Sequence, residues 1–136
     1  MAIVGFGYNK IEVIKQNPIK GKVSVSNNVK IEDIEETTMK MGEQKQNVLK
    51  FAFNYKTTYS NEVGHLEITG ELYYMGEDKV LKDVMKKWKN SENIPQEVMT
   101  PVVNTILGKS TILALTLSNE VNLPPQVNLP KVKVQQ

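Results

Sequence analysis

The hydrophobic period of this chain changes at Gly76, and that change constrains its fold more than any other feature. Between Asn47 and Ser60, Leu49, Phe51, Phe53 and Tyr55 alternate with Lys50, Asn54 and Lys56. That is the spacing of a half-buried strand. Val63–Met75 repeats the pattern, with Leu66, Ile68, Leu72 and Tyr74 on one face and His65, Glu67, Thr69 and Glu71 on the other. Gly70 interrupts it, which predicts a bulge or bend. Ser60–Gly64 reads as a turn, so the two strands form a hairpin.

After Gly76, Val80, Leu81, Val84, Met85 and Trp88 recur with helical spacing. Glu77 and Asp78 sit in the first turn and Lys86, Lys87 and Lys89 in the last, as the helix dipole favours. Pro95 fits the first position of a second helix carrying Val98, Met99, Val102, Val103, Ile106 and Leu107. Pro101 and Gly108 flaw that helix, and the apolar run Thr111–Leu117 is expected to continue it.

Upstream, Phe6–Ile14 and Lys22–Ile34 are rich in Val, Ile and aromatic residues and are parted by Asn17-Pro18 and Gly21, which predicts two more strands. Asn27-Asn28 is expected to bulge within the second. The polar stretch Thr37–Gln46 reads as a connecting loop. The tail Leu123–Pro130, with three prolines, is incompatible with a helix and should lie extended on the body. The expected fold is α+β, a single domain over residues 1–136: a four-stranded antiparallel sheet, then two helices and an extended Pro-rich tail.

Composition excludes several function classes. With 136 residues, 40% hydrophobic and 24% charged, the chain can bury a core and should fold. Its formal charge is only +2, and every basic residue is lysine. The guanidinium forks that grip phosphates and bases are missing, so no nucleic-acid partner is expected. Absence of cysteine rules out disulfides, thiolate zinc sites and a cysteine nucleophile, and fits a reducing, cytoplasmic setting. Met1–Gly7 lacks the features of a secretory signal, and no apolar run reaches membrane-spanning length, so neither export nor membrane insertion is expected.

Candidate chemistry is sparse. His65 is the single histidine, which forbids a multi-histidine metal site; on the polar face of a strand it reads as structural rather than catalytic. Glu32-Asp33, Glu35-Glu36 and Glu77-Asp78 lack any cation-loop spacing and read as solvated or capping groups. Gly5-Phe6-Gly7 lacks the third glycine and Lys-Ser/Thr end of a phosphate loop. No enzyme activity, metal or cofactor is expected. The strand aromatics Phe51, Phe53, Tyr55, Tyr59, Tyr73 and Tyr74 read chiefly as core, with a stacking platform for RNA or a small ligand as the alternative. Tyr73 and Tyr74 are adjacent and must point to opposite faces, so one leaves the core side. The stripe ending at Trp88 is broader than one sheet face covers, and such an apolar surplus calls for a partner or a sister subunit.

The order of elements, together with particular segments, resembles the SecB family of export chaperones. Val48–Tyr55 looks like that family's third strand, Leu66–Gly76 its fourth, Pro95–Gly108 its long second helix, and Leu123–Leu129 the Leu-, Pro-, Val- and Asn-containing stretch after it. Gly21–Val29 and the Leu-Pro-Pro near the end are similar to a group of archaeal SecB-like proteins. The resemblance implies an ATP-independent holdase for unfolded polypeptides, assembled as a homo-oligomer, dimer or tetramer. It implies a client groove, for which Phe51, Phe53, Tyr55, Tyr73, Tyr74, Leu123 and Leu129 are the candidates. It also implies a subunit interface on the first helix, with Val80, Val84, Met85 and Trp88 as candidates. The resemblance also implies a link to protein export, although only Lys131–Gln136 follow Pro130, a departure from the family pattern that puts docking to an export motor in doubt. A dedicated single-partner protein is the remaining alternative.

Overall fold

The computed structural model describes residues 2–127. Four strands come first: β1 (Ala2–Lys15), β2 (Val25–Met41), β3 (Gln44–Tyr59) and β4 (Gly64–Met75). Two helices follow, α1 (Asp78–Lys89) and α2 (Gln96–Glu120). The sheet is antiparallel throughout, in the order β1-β4-β3-β2. The expected α+β architecture is therefore present. Leu129 and the rest of the tail beyond residue 127 lie outside the described residues.

Period two decides which face is covered. Leu49, Phe51, Phe53 and Tyr55 of β3 and Leu66, Ile68, Leu72 and Tyr74 of β4 are all at most 2% exposed, and the helices pack over them. Helix α2 meets the sheet through Val98, Val102, Ile106, Ser110, Ala114 and Ser118, every fourth residue for its whole length. Such a stripe drifts around a helix of 3.6 residues per turn, so α2 crosses the strands obliquely. Its second half presents small side chains because the sheet brings tyrosines there. Ala114 packs with Tyr55, and Ser110 lies against Tyr8.

Three expectations need correction. Thr37–Gln46 is not a loop: β2 runs to Met41 and β3 begins at Gln44, joined through Gly42-Glu43. Gly42 has a φ of 68°, the positive value required at the first position of a tight II′-type hairpin turn. The stretch is polar because its flanks are largely solvated, and a strand polar on both faces shows no alternation. Asn27-Asn28 pairs without a break; the bulge lies at Glu32, between the Ile31–Phe53 and Asp33–Ala52 pairs. Gly70 also pairs regularly with β3, and the bulge beside it is on β1, at Asn9. Gly70 has a steric duty instead. A Cβ there would meet the carbonyl oxygen of Gly7 and the ring of Phe53, at 2.8 Å from Cζ.

The long β2–β3 hairpin is curled. Met39 belongs to β2, three strand spacings of about 4.8 Å from β1 across a flat sheet. Yet a side chain built on Gly5 of β1 would meet the Met39 methyl at 3.5 Å. The hairpin tip therefore folds back over the face opposite the helices. At the bend, consecutive Val48 and Leu49 are both fully buried, which a flat half-covered strand does not permit.

Candidate functional site

The face opposite the helices is polar and internally paired. Lys10 of β1 forms ion pairs with Glu67 and Glu12, His65 Nε2 lies 3.1 Å from Glu12 Oε1, and Lys50 bridges to Glu35 at 3.1 Å. Hydrogen bonding from Lys10 holds the Glu67 carboxyl below the usual carboxylate range, and Glu67 in turn raises the Lys10 ammonium. Cross-strand register places these groups, since Lys10 opposes Thr69 and Glu12 opposes Glu67. His65 is occupied by a carboxylate and hydrogen-bonds no nucleophile among the described residues. No group of three or more metal-ligating side chains occurs among them either.

Most of the aromatics put forward for a client groove are core. Phe51, Phe53, Tyr55 and Tyr74 are buried under the helices, because the same alternation that makes the strand apolar turns those rings inward. They are not surface residues of this chain. Phe53 also stacks on Phe6 at 5.2 Å between centroids. Of the adjacent pair, Tyr73 faces the polar side, where its hydroxyl donates to Glu71 Oε2 at 2.8 Å. That bond is the main cause of a phenol pKa above its ordinary value. Leu123 is buried with Tyr59 and Val63. On α1, Val84 is buried, whereas Val80, Met85 and Trp88 are half-buried at the margin of the core.

Exposed large apolar side chains are scattered over β1 (Ile11, Ile14), Ile19, Met41, Val127 and α2, and the most exposed of them, Ile112, is on α2. By length and composition this helix could cross a membrane, which corrects the expectation that no segment reaches that threshold. Only 28% of its most apolar eighteen-residue stretch is buried. Ile112 is 70% exposed and Leu107 39%, and Met99, Val103 and Leu115 are half-buried between them and the core. Glu97, Lys109 and Glu120 are its only charged residues. Sequence reading gave this segment a helical continuation but no surface role, because hydropathy cannot tell a buried helix from an exposed one.

Open grooves flank α2 on several sides. One of about 540 Å³ runs beside Ile94, Met99, Thr100 and Val103. Another of about 560 Å³ lies between α1 and α2, lined by Val80, Pro95 and Val98 with Lys79, Asp83 and Glu97 at its rim. A third, about 350 Å³, separates the end of α2 from the tail and is lined by Leu115, Leu123 and Pro125. These volumes suit single side chains or short extended segments.

The tail wall of that third groove is fastened by side-chain hydrogen bonds. The Tyr59 hydroxyl donates to the Pro124 carbonyl (2.6 Å) and accepts from Gln126 Nε2 (2.9 Å). Asn27 Nδ2 donates to the Gln126 carbonyl (3.2 Å), and Thr57 orients Asn27 through a 2.8 Å bond. Burial raises the Tyr59 pKa, keeping the phenol neutral and able to donate. An extended, proline-containing backbone has no ladder of its own, so side chains satisfy its carbonyls.

No protein-family model matches this sequence, and no curated protein does. Among solved structures, the chain is similar to the SecB-like chaperone of Mycobacterium tuberculosis, determined in complex with a ChAD peptide from the HigA1 antitoxin. The likeness has a TM-score of 0.50 at 10% identity and covers 97% of this chain and 89% of the other. At that identity it speaks for the fold and not for the narrower archaeal group. The four-stranded antiparallel sheet covered on one face by two C-terminal helices is a SecB-like fold.

Proposed function

We propose that this chain is a chaperone that holds non-native polypeptide without ATP, and that its client surface is the outer side of α2 with the grooves beside it. The observation that carries this reading is a helix of membrane-like apolarity on which Ile112 and Leu107 are exposed and Met99, Val103 and Leu115 only half-buried. Apolar burial is non-directional, so such a surface binds many extended apolar segments weakly and in alternative registers. The opposite face is instead laced with paired charges, Lys10 with Glu67 and Lys50 with Glu35. The SecB-like fold supports the reading, and no catalytic step belongs to it.

The test is suppression of aggregation of a chemically denatured client at equimolar ratio without ATP. The parent should suppress it, and Leu107→Ser/Ile112→Ser should lose most of that effect while melting like the parent. Salt should change client binding little, because apolar contacts are not screened, whereas an RNA-binding module would weaken steeply. If Tyr73→Ser abolishes holding and the α2 variant does not, the client surface is the opposite face. A second reading, a chaperone dedicated to one partner, is favoured by the neighbour's complex with an antitoxin peptide. Failure with several unrelated clients would leave that one standing.

A further inference from the structure

Cross-strand register leaves a hollow on the sheet face opposite the helices. Gly5 and Gly7 of β1 stand across from Tyr73 and Glu71 of β4, while Phe6 between them pairs with Leu72 and turns to the core. Two residues without side chains open a cavity of about 310 Å³, walled by Tyr73, Glu71, Asn9 and Met39. Met39 reaches it only because the β2–β3 hairpin curls over this face. The Tyr73 ring and the Met39 methyl close over Gly5, where a Cβ would meet them at 3.0 Å and 3.5 Å. A Cβ on Gly7 would meet nothing within 4 Å, so the hollow is open there.

Three other carboxylates of this face have cations of their own: Glu12 and Glu67 pair with Lys10, and Glu35 with Lys50. Opposite Glu71 stand only Gly7 on β1 and Ala52 on β3, and among the described residues it joins no ion pair. Lys50 lies across from Tyr73, but Glu35 holds its ammonium at 3.1 Å. Glu71 Oε2 accepts the Tyr73 hydroxyl at 2.8 Å, which fixes the ring beside the carboxylate. We infer that this hollow binds an organic ammonium ion, its head between the Glu71 carboxylate and the Tyr73 ring, with the Met39 methyl against its alkyl groups. An aromatic ring attracts such a cation through its quadrupole, and a thioether adapts to its shape. One carboxylate supplies too few oxygens for calcium or magnesium. An anion is repelled by Glu71, and a neutral apolar guest strips water from an unpaired charge. A free amine and a lysine side chain offer the same chemistry. The hollow lies away from the outer side of α2, and the inference does not depend on the client reading.

The probes are choline, for a free quaternary amine, and lysine capped at both ends, for the side chain of a polypeptide. Each is titrated into the full chain at constant ionic strength and followed by the methyl resonance of Met39, which Met39→Leu identifies. Both should shift it, with dissociation constants on the order of millimolar for a head group of a few atoms in an open hollow, and the tighter of the two identifies the source. The uncharged isostere of choline, with carbon in place of nitrogen, should bind about fivefold more weakly, and Glu71→Gln should weaken choline by a similar factor, the upper end for an exposed ion pair. Gly7→Val should abolish the shift. Gly7 is a strand residue without positive φ and has space above it, so a β-branched side chain fits and the variant should melt no lower than the parent. A parent that responds to neither probe overturns the inference. So does an isostere that binds as tightly as choline, or a folded Gly7→Val that binds like the parent. Should Gly7→Val fail to fold, the comparison of choline with its isostere on the parent decides alone.

Discussion

Replacing Tyr59 by Phe removes one oxygen and leaves the ring in place, so it isolates the fastening of the tail. That oxygen serves two bonds, donating to the Pro124 carbonyl at 2.6 Å and accepting from Gln126 Nε2 at 2.9 Å. A net hydrogen bond contributes about 0.5–1.5 kcal/mol, and an abandoned buried partner costs about 1–3 kcal/mol. Gln126 is 8% exposed and Pro124 is half-buried, so water replaces part of what is lost and the lower end applies. The expected destabilisation is about 2 kcal/mol. With an unfolding entropy of about 2.1 cal/mol/K per residue, that lowers the melting temperature of a chain this size by about 7 °C. Urea unfolding should show a lower midpoint at unchanged m, since the folded state stays as compact. A double-mutant cycle with Gln126→Ala should return a coupling of about 1 kcal/mol. A loss below about 0.5 kcal/mol, or no coupling, would mean that the tail is not clamped in solution and that the groove it walls is not a fixed feature.

Gly70→Ala should destabilise by at least about 1–3 kcal/mol, because the new methyl collides with the Phe53 ring and the β1 backbone; urea unfolding measures it. Stability should fall as pH rises past about 10. Burial raises the pKa values of Tyr8, Tyr59 and Tyr74, so the unfolded chain loses its phenol protons first. The contribution is complete below the unfolded pKa and disappears as pH climbs through the folded values; urea midpoints from pH 8 upward should trace it. The melting temperature should not respond to EDTA, divalent ions or ATP, and a rise of several degrees would reveal a ligand site on the native state.

Bulges separate what was read correctly along the strands from what was not. The apolar residues of β2 run Val29, Ile31 and then Ile34, a spacing of three that marks the extra residue at Glu32. Ile3 to Phe6 and Tyr8 to Ile11 on β1 carry the same mark, and the register shifts there. That signal was in the sequence, hidden because each bulge resets the phase of an otherwise regular alternation. The curl of the β2–β3 hairpin had no such mark. Met39 reaches Gly5 only because a long hairpin bends as a whole, which no local pattern encodes.

By itself the sequence determined the succession of elements, four strands and then two helices, because backbone periodicity is written locally in the spacing of apolar side chains. It also determined that Tyr73 and Tyr74 part company, since neighbours on a strand cannot share a face. Which surplus apolar side chains stay outside was decided only by the tertiary structure. Phe51 and Ile112 are equally apolar in the sequence, yet one is fully buried and the other 70% exposed. The helix layer buries one face of the central strands β3 and β4, and nothing among the described residues covers the outer side of α2 in turn. Burial is a property of what lies opposite a residue, and that is set by packing between segments far apart in the chain.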